Sequence, residues 1–132
     1  MNMYEAVGGE ATFVALTDAF YDRVAADPLL RPLFPVDMEP GKRRLANFLI
    51  ESLGGPPRWS RERHFVHLVN AHHRRAFSEA ERDVWINHML AAIDTVGITG
   101  LARRLLREWI ISNADLAMSH RPLRRAHITV PE

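Results

Sequence analysis

The stretch His72-His73-Arg74-Arg75-Ala76-Phe77-Ser78-Glu79-Ala80-Glu81-Arg82-Asp83-Val84-Trp85 joins a histidine pair, a helix start and a tryptophan thirteen residues beyond the first histidine. Ser78 with Glu81 three residues on is a capping box: the serine oxygen accepts from the third backbone N–H, and Glu81 reaches back to Ser78. The helix so opened carries Val84, Trp85, Met89, Ala92, Ile93 and Val96 on its apolar face, so Trp85 points inward. Neutral imidazole is the commonest metal ligand, and an inward indole offers one N–H donor. His72 and His73 are therefore candidate ligands lying just ahead of a helix that brings a donor.

Outward from that stretch the apolar period stays near 3.6, and no run alternates over six residues with β-branched enrichment, which predicts an all-α fold. Phe13, Leu16, Phe20, Tyr21 and Val24 form one stripe after Gly8-Gly9, a first long helix ending near Asp27-Pro28. Pro28, Pro32, Pro35 and Pro40 forbid a continuous helix across the next dozen residues, and Leu29, Leu30, Leu33 and Phe34 make that loop apolar enough to pack inward. A second helix is expected from about Pro40 to Ser52, carrying Leu45, Phe48 and Leu49 and stopped by Gly54-Gly55-Pro56-Pro57. Between Trp59 and His73 the pattern supports a short helix that carries the histidines. After Thr99-Gly100, Leu101, Leu105, Leu106, Trp109, Ile110 and Ala114 mark a last helix to about Ser119. This gives one domain over residues 1–119 and an expected mobile tail over 120–132, with Arg121, Arg124, Arg125 and two prolines.

Composition excludes several classes. With 132 residues the chain makes one domain, and 17 basic against 16 acidic side chains leave a net charge of +1, against a nucleic-acid footprint. The absence of cysteine removes disulfides, thiolate catalysis, Cys-ligated zinc and iron–sulfur clusters, and fits a cytoplasmic protein. No apolar run approaches the roughly 18 residues of a membrane span. HExxH, GxGxxG, P-loop and nucleophile-elbow motifs are all missing. His64, His67, His72 and His73 cluster, but no Asp, Glu or Cys between Arg63 and Ser78 completes a zinc set. Taken singly, each histidine reads as a surface or capping residue.

Taken together, the residues resemble a known family. Tyr4-Glu5-Ala6-Val7-Gly8-Gly9, Phe20-Tyr21, Leu33-Phe34-Pro35, Arg44-Leu45, Phe48-Leu49, Gly54-Gly55-Pro56, His72 and Arg82-Asp83-Val84-Trp85 occur in the order found in group II truncated haemoglobins. The resemblance spans about residues 4–119. It implies a two-over-two helical sandwich around haem b (iron protoporphyrin IX), the proline-rich loop wrapping the haem edge.

Carried over residue by residue, the resemblance makes His72 the axial iron ligand, since it stands thirteen before Trp85 and four after Leu68; His73, one register on, is the alternative. Tyr21 and Trp85 match the two distal residues whose O–H and N–H can donate to dioxygen. Each such donor contributes on the order of 1 to 3 kcal/mol in a low-dielectric pocket. Phe34 matches a position that is tyrosine in some relatives, and Gly41 matches the distal gate. Leu45, Phe48, Leu68 and Met89 are expected to line the haem, with Arg44 at its propionates and Arg63 and Trp59 as further candidates there.

The function so implied is binding of dioxygen, nitric oxide or another small diatomic ligand, with nitric oxide or peroxide detoxification as possible chemistry given an external reductase. Monomer and homodimer are both compatible with this reading. The alternative, from a different class, is a haem-free helical interaction or sensor domain that retains the scaffold.

Overall fold

The computed structural model describes residues 1–62, 77–119 and 130–131. His72, His73, Arg63 and Leu68 therefore lie outside the described residues, as does the tail over 120–129.

Among the described residues the fold is all-α, without a strand element, as the periodicity predicts. A four-residue helix, α1 (Met3–Ala6), opens the chain; the Asn2 side chain caps it by accepting from the Glu5 N–H at 2.8 Å, and Met3 is fully buried. Four residues are too few to show a period, so this helix is not legible in the sequence. Gly9, at φ 74°, turns the chain into α2 (Glu10–Ala25). Phe13, Leu16, Phe20, Tyr21 and Val24 are its buried stripe, joined by Thr17, whose hydroxyl donates to the Phe13 carbonyl at 3.1 Å.

The proline-rich loop differs in part from expectation. Leu30 is fully buried and Leu33 and Phe34 are half-buried, but Leu29 stays 44% exposed. The reason is local: the Asp27 carboxylate accepts the Leu29 N–H at 2.8 Å, and the turn this fixes sends successive side chains to opposite sides. After a 3-10 turn (Arg31–Leu33), the Arg31 guanidinium donates to the carbonyls of Phe34, Pro35 and Val36, holding the loop without regular structure.

Helix α3 (Glu39–Ser52) starts with Pro40 in its first turn, where a missing N–H costs nothing, and buries Leu45, Phe48, Leu49 and Ile50. Residues 58–62 are again helical. In α4 (Glu79–Thr95) both bonds of the capping box are present, Ser78 N–H to Glu81 at 2.8 Å and Glu81 N–H to the Ser78 hydroxyl at 3.1 Å. Its buried face includes Trp85, Ile86, Met89, Ala92 and Ile93. Helix α5 (Gly100–Ser119) leaves helical geometry at Asn113 (φ −119°, ψ 18°), where the side-chain amide donates to the Trp109 carbonyl at 2.9 Å. A side chain bonding into the carbonyl ladder in this way accompanies a local bend.

Cross-helix pairs fix the topology. Arg82 reaches Asp115 and Asp94 reaches Arg103, each at 2.7 Å, so α4 and α5 run antiparallel. Lys42 meets Asp18 at 2.9 Å, and Arg58, beyond the end of α3, meets Glu10 at 2.6 Å, so α2 and α3 also run antiparallel. The two pairs meet chiefly where α2 packs on α4. Val130 is buried and its N–H donates to the Met1 carbonyl at 2.8 Å, bringing the end of the chain back to its start.

Candidate functional site

At the α2–α4 contact the apolar stripes of the two helices bring aromatic rings together. Phe20 packs edge-on against Trp85, with centroids 5.0 Å apart, and against Tyr21 at 5.4 Å. Tyr21 meets Phe34 of the loop at 5.7 Å, and Phe34 meets Phe77 at 6.4 Å. A continuous run of five rings thus joins α2, the proline-rich loop, the approach to α4 and α4 itself. Phe20 is the residue that couples the two expected donors. Its place on the stripe of Leu16 and Val24 is the sequence signal for burial, but nothing in the sequence singles it out as the ring between Tyr21 and Trp85.

Tyr21 and Trp85 are buried, at 6% and 2% exposure. Neither the Tyr21 hydroxyl nor the Trp85 indole N–H is hydrogen-bonded to another described residue. Burial pushes the Tyr21 hydroxyl up to about 12, against the opposing pull of the Arg44 guanidinium. The group is therefore a neutral O–H donor at any physiological pH. Gly41 stands over it: a β-carbon there would lie 3.2 Å from the Tyr21 hydroxyl and 3.6 Å from Arg44 Nη2. The sequence puts no side chain at this position in the first turn of α3, where one would crowd the hydroxyl.

Helix α3 supplies the neighbouring surface. Leu45 and Phe48 are buried at 1% and 2%, and half-buried Trp59 packs edge-on against Phe48 at 5.8 Å. Met89, one turn beyond Trp85, is fully buried. Of the expected site residues, the structure thus gathers Tyr21 with Phe34 and Arg44, and Phe48 with Trp59. Trp85 joins the first group through Phe20. Among the described residues no group of three His, Cys, Asp or Glu side chains forms a metal site, and no helix is long and apolar enough to cross a membrane.

These features fit a haem. A hydroxyl and an indole N–H on buried side chains, without partners among the described residues, offer hydrogen bonds to a small polar ligand, and the walls around them are aromatic and aliphatic, as a flat apolar macrocycle requires. A half-buried guanidinium beside the hydroxyl is a suitable partner for a carboxylate.

The comparisons agree. The family model for bacterial-like globins matches residues 2–127. The group 2 truncated hemoglobin YjbI of Bacillus subtilis is 36% identical over 117 residues, covering 89% of this chain and 85% of that protein. The haemoglobin of the thermophilic phototrophic bacterium Chloroflexus aurantiacus superposes with a TM-score of 0.77 at 39% identity, covering 93% of this chain and 99% of its own. The truncated oxygen-avid haemoglobin of Bacillus subtilis gives 0.76 at 36% identity, over 86% and 96% of the two chains. Globin membership carries with it a haem cofactor and the binding of small diatomic ligands. The chain belongs to the bacterial-like globin family, within its group II truncated haemoglobins.

Proposed function

We propose that this chain is a haem b protein of the cytoplasm that binds dioxygen or nitric oxide, with His72 as axial ligand and Tyr21 and Trp85 as the distal donors. Haem, when bound, would supply an iron at which such a ligand can be held and undergo redox chemistry. The protein's part is to hold it, to exclude water and to aim hydrogen bonds. In this reading Leu45, Phe48, Leu68 and Met89 face the macrocycle, Phe34 closes its edge, and Arg44 answers a propionate, with Trp59 and Arg63 beside it.

The single observation that carries the reading is Tyr21: a buried side chain whose neutral hydroxyl has no hydrogen-bond partner among the described residues and is faced by Gly41. Dioxygen in such a pocket draws partial negative charge, and two neutral donors in a dry site favour it. The solved Bacillus subtilis relative described as oxygen-avid supports dioxygen as the ligand. Conversion of nitric oxide or peroxide in the same pocket requires electrons from outside the chain, so a reductase is the partner such chemistry needs.

The test is a Soret band in the purified protein that is lost in His72→Ala and kept in His73→Ala. Loss in His73→Ala alone moves the ligand by one residue. A protein that takes up no haem under any loading condition is the haem-free domain instead, and the proposal fails.

A further inference from the structure

From the point where a β-carbon on Gly41 would stand, the Tyr21 hydroxyl is 3.2 Å away and Arg44 Nη2 is 3.6 Å away. A carbon atom that close to the hydroxyl is crowded. A hydrogen-bond acceptor is not, since O–H donors hold acceptors at roughly 2.5 to 3.0 Å and N–H donors at roughly 2.7 to 3.2 Å. The space is tight for carbon and suits a single acceptor atom that both donors can reach. We propose that Tyr21, Arg44 and the bare backbone at Gly41 form a niche for a small monovalent anion, of the class of fluoride, azide and nitrite, on the distal side of the haem.

Both donors are spare. Tyr21 is 6% exposed, and its hydroxyl bonds to no other described residue, so a polar group on a buried side chain is aimed at the niche with nothing to hold. Arg44 is half-buried and has no hydrogen bond or ion pair to a described residue. Its neighbour Lys42 differs, because its ammonium meets Asp18 at 2.9 Å and Glu39 at 3.0 Å. Those two carboxylates close on Lys42 and not on Arg44, whose charge is left for a ligand.

The electrostatics of the niche favour an anion. Burial keeps the Tyr21 hydroxyl protonated, so it donates where a phenolate would repel, and the opposing pull of Arg44 on that group places the guanidinium charge within reach of the same oxygen. Gly41 lies in the first turn of α3, whose backbone N–H groups add partial positive charge. A neutral diatomic ligand draws little on a guanidinium, whereas an anion gains a charge-assisted hydrogen bond. Five N–H donors on one fork also let a propionate use another edge while Nη2 stays available. The inference rests on the haem reading for the iron that would be the anion's third partner; the donor pair itself needs no cofactor.

The experiment is titration of the purified ferric protein with sodium fluoride and, separately, with sodium azide, followed in the visible spectrum. The carbon monoxide affinity of the ferrous form, measured for every variant, is the neutral-ligand reference, so that general changes to the pocket cancel in the ratio. In Arg44→Leu the ratio is expected to fall roughly ten- to hundredfold. Arg44→Lys should recover part of that loss, because lysine keeps the charge without the fork. In Gly41→Ala, which puts carbon into the niche, the ratio should fall by about threefold or more. If the guanidinium serves a propionate alone, Arg44→Leu releases haem faster to an apo-acceptor while the ratio holds, and an unchanged ratio overturns the proposal. Should Arg44→Leu not keep haem long enough to titrate, Gly41→Ala decides: a lowered ratio supports the niche and an unchanged one overturns it. A missing Soret band in the wild type marks failure of the haem reading instead. The niche is then read from the Tyr21 ring resonances of the haem-free protein, identified by their loss in Tyr21→Phe. A saturable shift with azide that Arg44→Leu abolishes supports it, and the absence of a shift, or one that survives in Arg44→Leu, overturns it.

Discussion

The hydroxyl of Tyr21 lies 3.2 Å from the point where a β-carbon on Gly41 would stand, so the first turn of α3 and the middle of α2 are matched at that one absent side chain. Gly41→Ala places a methyl group there. Alanine favours the helix by roughly 0.5 to 1 kcal/mol over glycine, while the close approach makes the hydroxyl give way by a few tenths of an ångström. Thermal stability is therefore expected to hold or rise. The hydrogen bond to ligand is expected to weaken by about 0.5 to 1 kcal/mol, which speeds ligand release by roughly two- to fivefold. Stopped-flow release kinetics beside a thermal melt check both halves, and release that slows would show that the hydroxyl does not face the ligand.

Tyr21→Phe and Trp85→Phe separate the donors from the packing. Phenylalanine at 21 keeps the edge contacts to Phe20 and Phe34 and removes only the O–H. Dioxygen release is expected to accelerate by about tenfold or more in each variant. The double variant is expected to fall short of the product of the two, because both donors would serve one ligand. If release is unchanged in both single variants, the two groups are core residues with no part in ligand binding.

The raised Tyr21 hydroxyl also predicts a pH dependence. Its ordinary value is 10.0 and its folded value is about 12. Between the two, the unfolded chain loses the proton that the folded chain keeps, so the unfolded state binds fewer protons and stability falls as pH rises. The neutral hydroxyl's full stability is present below about pH 10 and declines by on the order of 2 to 3 kcal/mol toward pH 12. Denaturant midpoints of the wild type and Tyr21→Phe should part over that window alone. Parallel curves would mean that water reaches the hydroxyl freely.

What could be read beforehand was whatever local chemistry writes into consecutive residues. Ser78 and Glu81 announce the start of α4 because a cap needs only four residues, and Phe13 to Val24 announce α2 because three turns repeat. Pro40 and Gly54-Gly55 bracket α3 in the same way. By contrast, α1 is a single turn whose cap, Asn2, also donates to the Gly54 carbonyl at 3.1 Å, so its stability comes from a partner 52 residues away. The bend at Asn113 has no glycine or proline to signal it. Tyr21 and Trp85 are singled out in the sequence only by a family resemblance, whereas Phe20 as their common neighbour depends on how two distant helices cross.

Gly55 gives the sharpest test of packing away from the site. Its residue pair stops α3, a role that many turn residues can fill, but the structure sets a narrower demand. A β-carbon on Gly55 would stand 2.5 Å from Ile50 Cγ2 and 2.7 and 2.9 Å from Cδ1 and Cε1 of Tyr4. Tyr4 cannot simply step aside: its N–H donates to the Leu53 carbonyl at 3.0 Å, and its ring stacks on Phe13 at 5.9 Å. Gly55→Ala is therefore expected to destabilise by about 1 to 3 kcal/mol through overpacking. Because Tyr4 carries part of the clash, the cost should be smaller in a Tyr4→Ala background, and a double-mutant cycle of denaturant midpoints measures the difference. Additive effects would assign the clash to Ile50 alone, and a stable Gly55→Ala would show that α1 is not seated against the end of α3.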